Sequence, residues 1–128
     1  MKISKFEDLE IWSDARELCK TVFKITSVNP FNNDFRFRDQ IRSASGSIMD
    51  NIAEGFDRGG NKEFKQFLSI SKGSCGEVRS QTYRAFDFEY ITETQYHDLL
   101  EKTDKISRKI SNFMHYLKTS EMKGNKFL

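Results

Sequence analysis

Residues 55–63 read GFDRGGNKE, with glycines at 55, 59 and 60 and a lysine at 62. Two glycines five positions apart, ahead of a lysine, approximate the loop that wraps a nucleotide phosphate in backbone N–H groups. Three features argue against that chemistry. A phosphate loop needs Lys directly after its second glycine and a hydroxyl after the Lys. Here Asn61 follows Gly60, and Glu63, an anion that repels phosphate, follows Lys62. The loop should also leave a strand, yet the SIMDNIAE before it is helical in pattern. A corner between two helices explains the glycines better. Gly55 is expected at the left-handed position that ends one helix, and Asn61 at the N-cap of the next.

The histidines and cysteines offer little more. A di-iron helical bundle uses Glu-x-x-His on two helices. The two histidines, His97 and His115, are preceded at that spacing by Thr94 and Asn112. No nucleophile is marked out beside either, so both are expected on the surface or at its boundary. Cys19 and Cys75 stand alone, outside any C-x-x-C pair, and are expected as reduced, buried side chains. The pattern asks for no enzyme, cofactor or metal.

Lysine and arginine are the remaining candidates, and their placement is uneven. The chain of 128 residues has a net charge of +2, but residues 58–84 carry +4, 85–101 carry −5 and 102–128 carry +5. Lys65, Lys72 and Arg79 recur every seven residues and so form one stripe of a helix; Lys102, Lys105 and Lys109 form another. A solvated charged face is the usual meaning of such runs on helices and stays open here, although the segregation exceeds what solubility requires. A cationic stripe with few acids nearby suits phosphate, whereas an acidic block facing a basic one suits a head-to-tail protein contact.

Four helices must position these stripes. In the first segment Phe6, Leu9, Trp12, Ala15, Leu18, Val22 and Ile25 recur at steps of three or four, with Ser4 and Glu7 as a capping box. Pro30 stops it before Asn29. The second runs from about Phe37 to Glu54. The third carries Phe64, Phe67, Leu68, Ser71, Ser74, Cys75, Val78, Thr82 and Ala85, and its SKGSCG centre allows a neighbouring helix to approach closely. The fourth starts at a Thr92/Gln95 capping box and continues through Leu99, Ile106, Ile110, Phe113 and Leu117. No segment alternates as a strand would. Short connections near 55–61 and 89–92 make neighbours antiparallel, which predicts an all-α, antiparallel up-down-up-down four-helix bundle over residues 1–119. Residues 120–128 are expected as a loose tail. With 37% hydrophobic and 31% charged residues, no apolar leader and no membrane-length apolar window, the chain reads as soluble and cytoplasmic.

The motifs FEDLEIW (6–12), QIRSA (40–44), SIMDNIAEG (47–55), KEFKQFL (62–68) and KGSCGEV (72–78) occur in an order and spacing that resembles a known family. It is that of the small four-helix proteins encoded in intervening sequences of bacterial large-subunit ribosomal RNA genes. A branch of it is the accessory variability protein of diversity-generating retroelements. The resemblance implies a non-enzymatic bundle that assembles as a ring, typically a homopentamer, and binds RNA or DNA through a basic surface. In the retroelement branch a reverse transcriptase is a further partner. The family usually has glycine and a hydroxyl residue where this chain has Arg36 and Arg38, so the start of the second helix is unusually basic. Ser71 and Thr82 stand where more apolar residues are usual. Within this resemblance Asn51, Glu54 and Arg58 are expected to form a polar network at the corner. The residues expected to meet phosphates are Arg36, Arg38, Arg42, Arg58, Lys62, Lys65, Lys72 and Arg79. Base readout is not indicated, because the aromatic residues fall mainly on core-facing positions.

Overall fold

A computed structural model describes residues 3–119. They form four helices, α1 (Glu10–Thr26), α2 (Phe35–Asp57), α3 (Asn61–Asp87) and α4 (Glu93–Thr119), and two short 3-10 turns at Phe6–Asp8 and Phe31–Asn33. No strand occurs among the described residues. Each helix packs against the next and α4 returns to α1, so α1 and α3 stand diagonally across the core from each other, as do α2 and α4. This is the antiparallel up-down-up-down bundle that the periodicity predicts. The tail expected at 120–128 lies outside the described residues.

The apolar stripes read from the sequence are the buried faces. Ala15, Leu18 and Val22 of α1 meet Ile41, Ile48 and Ile52 of α2, Leu68, Cys75 and Val78 of α3, and Leu99, Ile106 and Ile110 of α4 in one core. Ser71 and Thr82 are fully buried within it. A buried hydroxyl is tolerated when it is hydrogen-bonded. Ser71 donates to the Ile48 carbonyl of α2 at 2.9 Å, and Thr82 to the Val78 carbonyl one turn back at 2.8 Å.

Several helix ends differ from their expected form. At the 3-10 turn ahead of α1 it is Asp8, not Glu7, whose carboxylate accepts from the Ser4 and Lys5 N–H groups, at 3.2 and 3.3 Å, while Leu9, the N-cap of α1 itself, makes no side-chain cap. The 3-10 turn carries the chain one residue further, which brings Asp8 rather than Glu7 under Ser4. The Thr92/Gln95 capping box forms as expected, with reciprocal bonds of 2.9 and 3.1 Å. Asp34 caps α2 by accepting from Phe37 N–H at 3.2 Å, and its other oxygen accepts the Tyr90 hydroxyl at 2.9 Å. That hydrogen bond holds the Tyr90 hydroxyl above its usual pKa.

The corner at 55–63 is a turn between helices, but its residues are used differently. α2 continues through Gly55 to Asp57, and the left-handed residue is Gly59, with φ 91°. Gly60 is the N-cap of α3, while Asn61 is its first residue and reaches the Leu117 carbonyl of α4 at 3.5 Å. Gly55 serves packing. A Cβ there would stand 2.5 Å from the Cβ of Phe67, an atom that cannot swing aside. Gly55→Ala is therefore expected to push α2 and α3 apart. It should cost about 1–3 kcal/mol as overpacking, net of the gain in helix propensity. A urea titration showing unchanged or increased stability would overturn this reading.

Candidate nucleic-acid interface

The eight cations expected to meet phosphate divide into two groups. Arg36, Lys62 and Lys72 are exposed and Lys65 is half-buried, and none of the four has an ion pair among the described residues. Lys65 and Lys72 lie two turns apart on α3, about 10 Å at 1.5 Å per residue, with Lys62 near the helix start. Arg36 sits at the other end of the bundle. There it joins Arg84, Asp39 and Glu77 around a groove of about 930 Å³ between α2 and α3.

The other four have structural partners. Arg79 donates to the Leu100 carbonyl at 2.8 Å and the Thr103 hydroxyl at 3.3 Å, so it ties α3 to α4 instead of extending the free stripe. Arg42 donates to the Thr26 and Ser27 hydroxyls at 2.8 and 3.1 Å, locking α2 to the end of α1. Arg38 pairs with Asp39 at 3.0 Å and lies over the Phe35 ring. Arg58 pairs with Glu54 at 2.8 Å and lies over Phe67. The polar network expected at the corner is therefore only half formed. Asn51 turns away from Glu54 and Arg58 and donates to the Ser47 carbonyl and hydroxyl, at 2.8 and 2.9 Å.

Sequence blocks overstate the free charge of α4. Lys102 pairs with Asp98 at 2.7 Å, and Lys105 and Lys109 with Asp14 of α1 at 3.8 and 2.9 Å. Lys109 also pairs with Glu10, and these hydrogen bonds hold its ammonium above the usual lysine pKa. Two lysines of the expected α4 stripe thus meet α1 carboxylates, and the third meets one on α4 itself. At the start of α3 a carboxylate oxygen of Glu63 comes within 2.5 Å of where a Cβ on Gly60 would stand. The chain's own acid therefore stands beside the N-cap of α3.

One basic surface escaped the sequence reading. Arg16, Lys20 and Lys24 recur at steps of four along α1, and with Arg42 they surround a groove of about 590 Å³ between α1 and α2. The net charge of residues 1–35 hides them, because the acids Glu7, Asp8, Glu10 and Asp14 precede them in the same block. A four-residue period is the signal that could have found them.

The reactive residue types are placed quietly. His97 and His115 are exposed on α4. Cys75 is buried and donates to the Thr103 carbonyl at 3.1 Å, and burial pushes its thiol pKa up to about 11. Cys19 is half-buried and its thiol is also raised by burial. Among the described residues, no group of three or more His, Cys, Asp or Glu could hold a metal ion, and no helix is long and apolar enough to cross a membrane.

No curated protein matches the chain. The crystal structure of a protein of unknown function from the S23 ribosomal protein family of Bacteroides thetaiotaomicron has the same fold. It superposes with a TM-score of 0.74 at 21% identity, covering 81% of this chain and 97% of that one. Residues 7–112 match the family described as 23S rRNA-intervening sequence protein, a span that takes in α1, α2 and α3 and most of α4. The chain belongs to that family.

Proposed function

We propose that this chain is a cytoplasmic, non-enzymatic protein that binds RNA or DNA through phosphate contacts and assembles as a closed homo-oligomeric ring of five subunits. The observation that carries the binding reading is the set of lysines on α3. Lys62, Lys65 and Lys72 have no ion pair among the described residues, whereas Lys102, Lys105 and Lys109 of α4 are paired with Asp98, Asp14 and Glu10. Unpaired, solvated cations in a row release counterions when phosphate approaches. Family membership supports the association with ribosomal RNA intervening sequences. The retroelement branch, with a reverse transcriptase as partner, is the alternative, in which the same lysines meet an acidic protein face.

Titration with labelled RNA and DNA at ~50 mM salt tests this reading. Binding at micromolar protein is expected, with little sequence preference. The slope of log affinity against log salt should be near −0.7 per phosphate neutralised on single strands and near −0.9 on duplex DNA. Absence of binding would leave the acidic protein face as the occupant. Sedimentation equilibrium showing only a 15.0 kDa species at tens of micromolar, on the order of a weak interface's dissociation constant, would remove the ring.

A further inference from the structure

We propose that the groove between α1 and α2 receives the acidic 87–93 tip of a second copy of this chain. The inference rests on the self-association proposed above and names its two surfaces. Arg16, Lys20, Lys24 and Arg42 surround the groove, Phe23 and Cys19 contribute to its floor, and no carboxylate lines it. Glu17 and Asp50, on the same helices, stand outside the lining, and Glu17 turns to Lys20 at 3.4 Å. Phe23 is 59% exposed, and the Arg42 guanidinium lies 4.4 Å from its ring centre. The Thr26 and Ser27 hydroxyls fix Arg42 from behind, so aromatic floor and cation are held before anything binds. A single exposed aromatic is ordinary on a surface. One set among four cations is a docking surface with a stated preference for an acidic apolar partner.

The chain supplies that partner. In the turn between α3 and α4, Phe88 is 52% exposed and stands between Asp87 and Glu89, with Glu93 opening α4. These three carboxylates have no hydrogen bond or ion pair among the described residues, and 85–101 contains no lysine or arginine. Glu89 has φ 60°, in the left-handed position of a helix stop where the Tyr90 N–H reaches back to the Ala85 carbonyl at 2.9 Å. Glycine is the usual residue there, and an L side chain adopts that conformation only at a cost. A carboxylate kept at that cost, without an internal partner, fits a role outside the protomer.

Phosphates alone would answer the four cations but leave the apolar floor uncovered. Phe88 with its flanking acids answers both. The groove lies on the α1–α2 side of the bundle and the tip joins α3 to α4 on the opposite side. Both lie towards the end where α1 and α3 finish. Each copy therefore uses two different surfaces, a heterologous contact that sets bundles side by side and can close into a ring.

The test uses two full-length variants, Lys20→Glu/Lys24→Glu in the groove and Glu89→Lys/Glu93→Lys at the tip. Apart from the exposed Lys20–Glu17 pair, none of these side chains has an internal partner, so both variants are expected to keep wild-type helicity. Each alone is expected to self-associate at least about tenfold more weakly than the wild type. Their 1:1 mixture is expected to associate into alternating hetero-oligomers, because the intact groove of one meets the intact tip of the other and the two reversed surfaces match as well. The quadruple variant, with both charges reversed, is expected to assemble again. Variants that assemble as the wild type does, or a mixture that stays monomeric, would overturn the proposal. If instead Lys20→Glu/Lys24→Glu abolishes RNA binding and leaves assembly intact, the groove is a nucleic-acid surface. This inference then fails while the binding reading stands.

Discussion

Glutamine at Lys62, Lys65 and Lys72 together is expected to weaken binding of every RNA and DNA sequence alike, by about tenfold or more at ~50 mM salt. The salt slope should flatten by about 2 on single strands, three phosphates at −0.7 each. Neither stability nor helicity should move by more than about 0.5 kcal/mol, because none of the three side chains has an ion pair to lose. The choice of residues follows from the geometry. By period alone Arg79 belongs with Lys65 and Lys72, yet its guanidinium is bound to the Leu100 carbonyl and the Thr103 hydroxyl. Arg79→Gln is the matched control, in which the α3–α4 seam weakens and the salt slope stays. Assembly amplifies the effect, since a ring presenting several copies of a weak site gains avidity and loses it in every copy at once. A triple variant with wild-type affinity and slope would show that these lysines face solvent or protein.

The architecture was legible because core positions recur with the helix itself. Phe64, Leu68, Ser71, Cys75, Val78, Thr82 and Ala85 step by three or four, and all are buried. Even the two hydroxyls in that series held their register. Which oxygen each would reach was not legible, since Ser71 crosses to α2 while Thr82 bonds within α3. Turn chemistry was read by type and not by position. Three glycines in six residues announce a corner, but the site of the left-handed residue depends on where α2 loses its packing partners. Gly55 is held inside the helix by its contact with Phe67, so Gly59 makes the turn. Charge was the least legible property. A sequence counts cations, whereas a surface offers only those that no neighbouring helix has claimed. Asp14 claims Lys105 and Lys109 from a distance of more than ninety residues, a pairing that no local pattern contains.

Phe64→Ala is expected to cost about 3–5 kcal/mol, the usual range for truncating a buried phenylalanine. Phe64 is fully buried in the first turn of α3, where the corner, the bundle core and the lysine row meet. Its ring packs edge-on against Phe56 of α2 at 5.8 Å and against Phe113 of α4 at 5.5 Å, so one side chain joins three helices. Gly55 allows α3 to approach this closely, and a Cβ there would also lie 3.1 Å from the Phe64 ring. The surrounding groups are themselves rigid aromatics on separate helices, and they can collapse only partly into the space left. The loss is a large share of the roughly 5–15 kcal/mol that holds a domain of this size together. Urea unfolding should show a lower midpoint with an unchanged m-value, because the surface exposed on unfolding barely differs. Phe64→Leu, which refills most of the volume, is expected to recover more than half of the loss. Lys62 and Lys65 flank Phe64 on the same turn, so the alanine variant should also bind nucleic acid more weakly in proportion to its unfolded fraction. Its salt slope should keep the wild-type value, which separates loss of the scaffold from loss of the cations. A midpoint shift equivalent to under about 1 kcal/mol would mean that the α3 turn is held by the core below it and not by this aromatic junction.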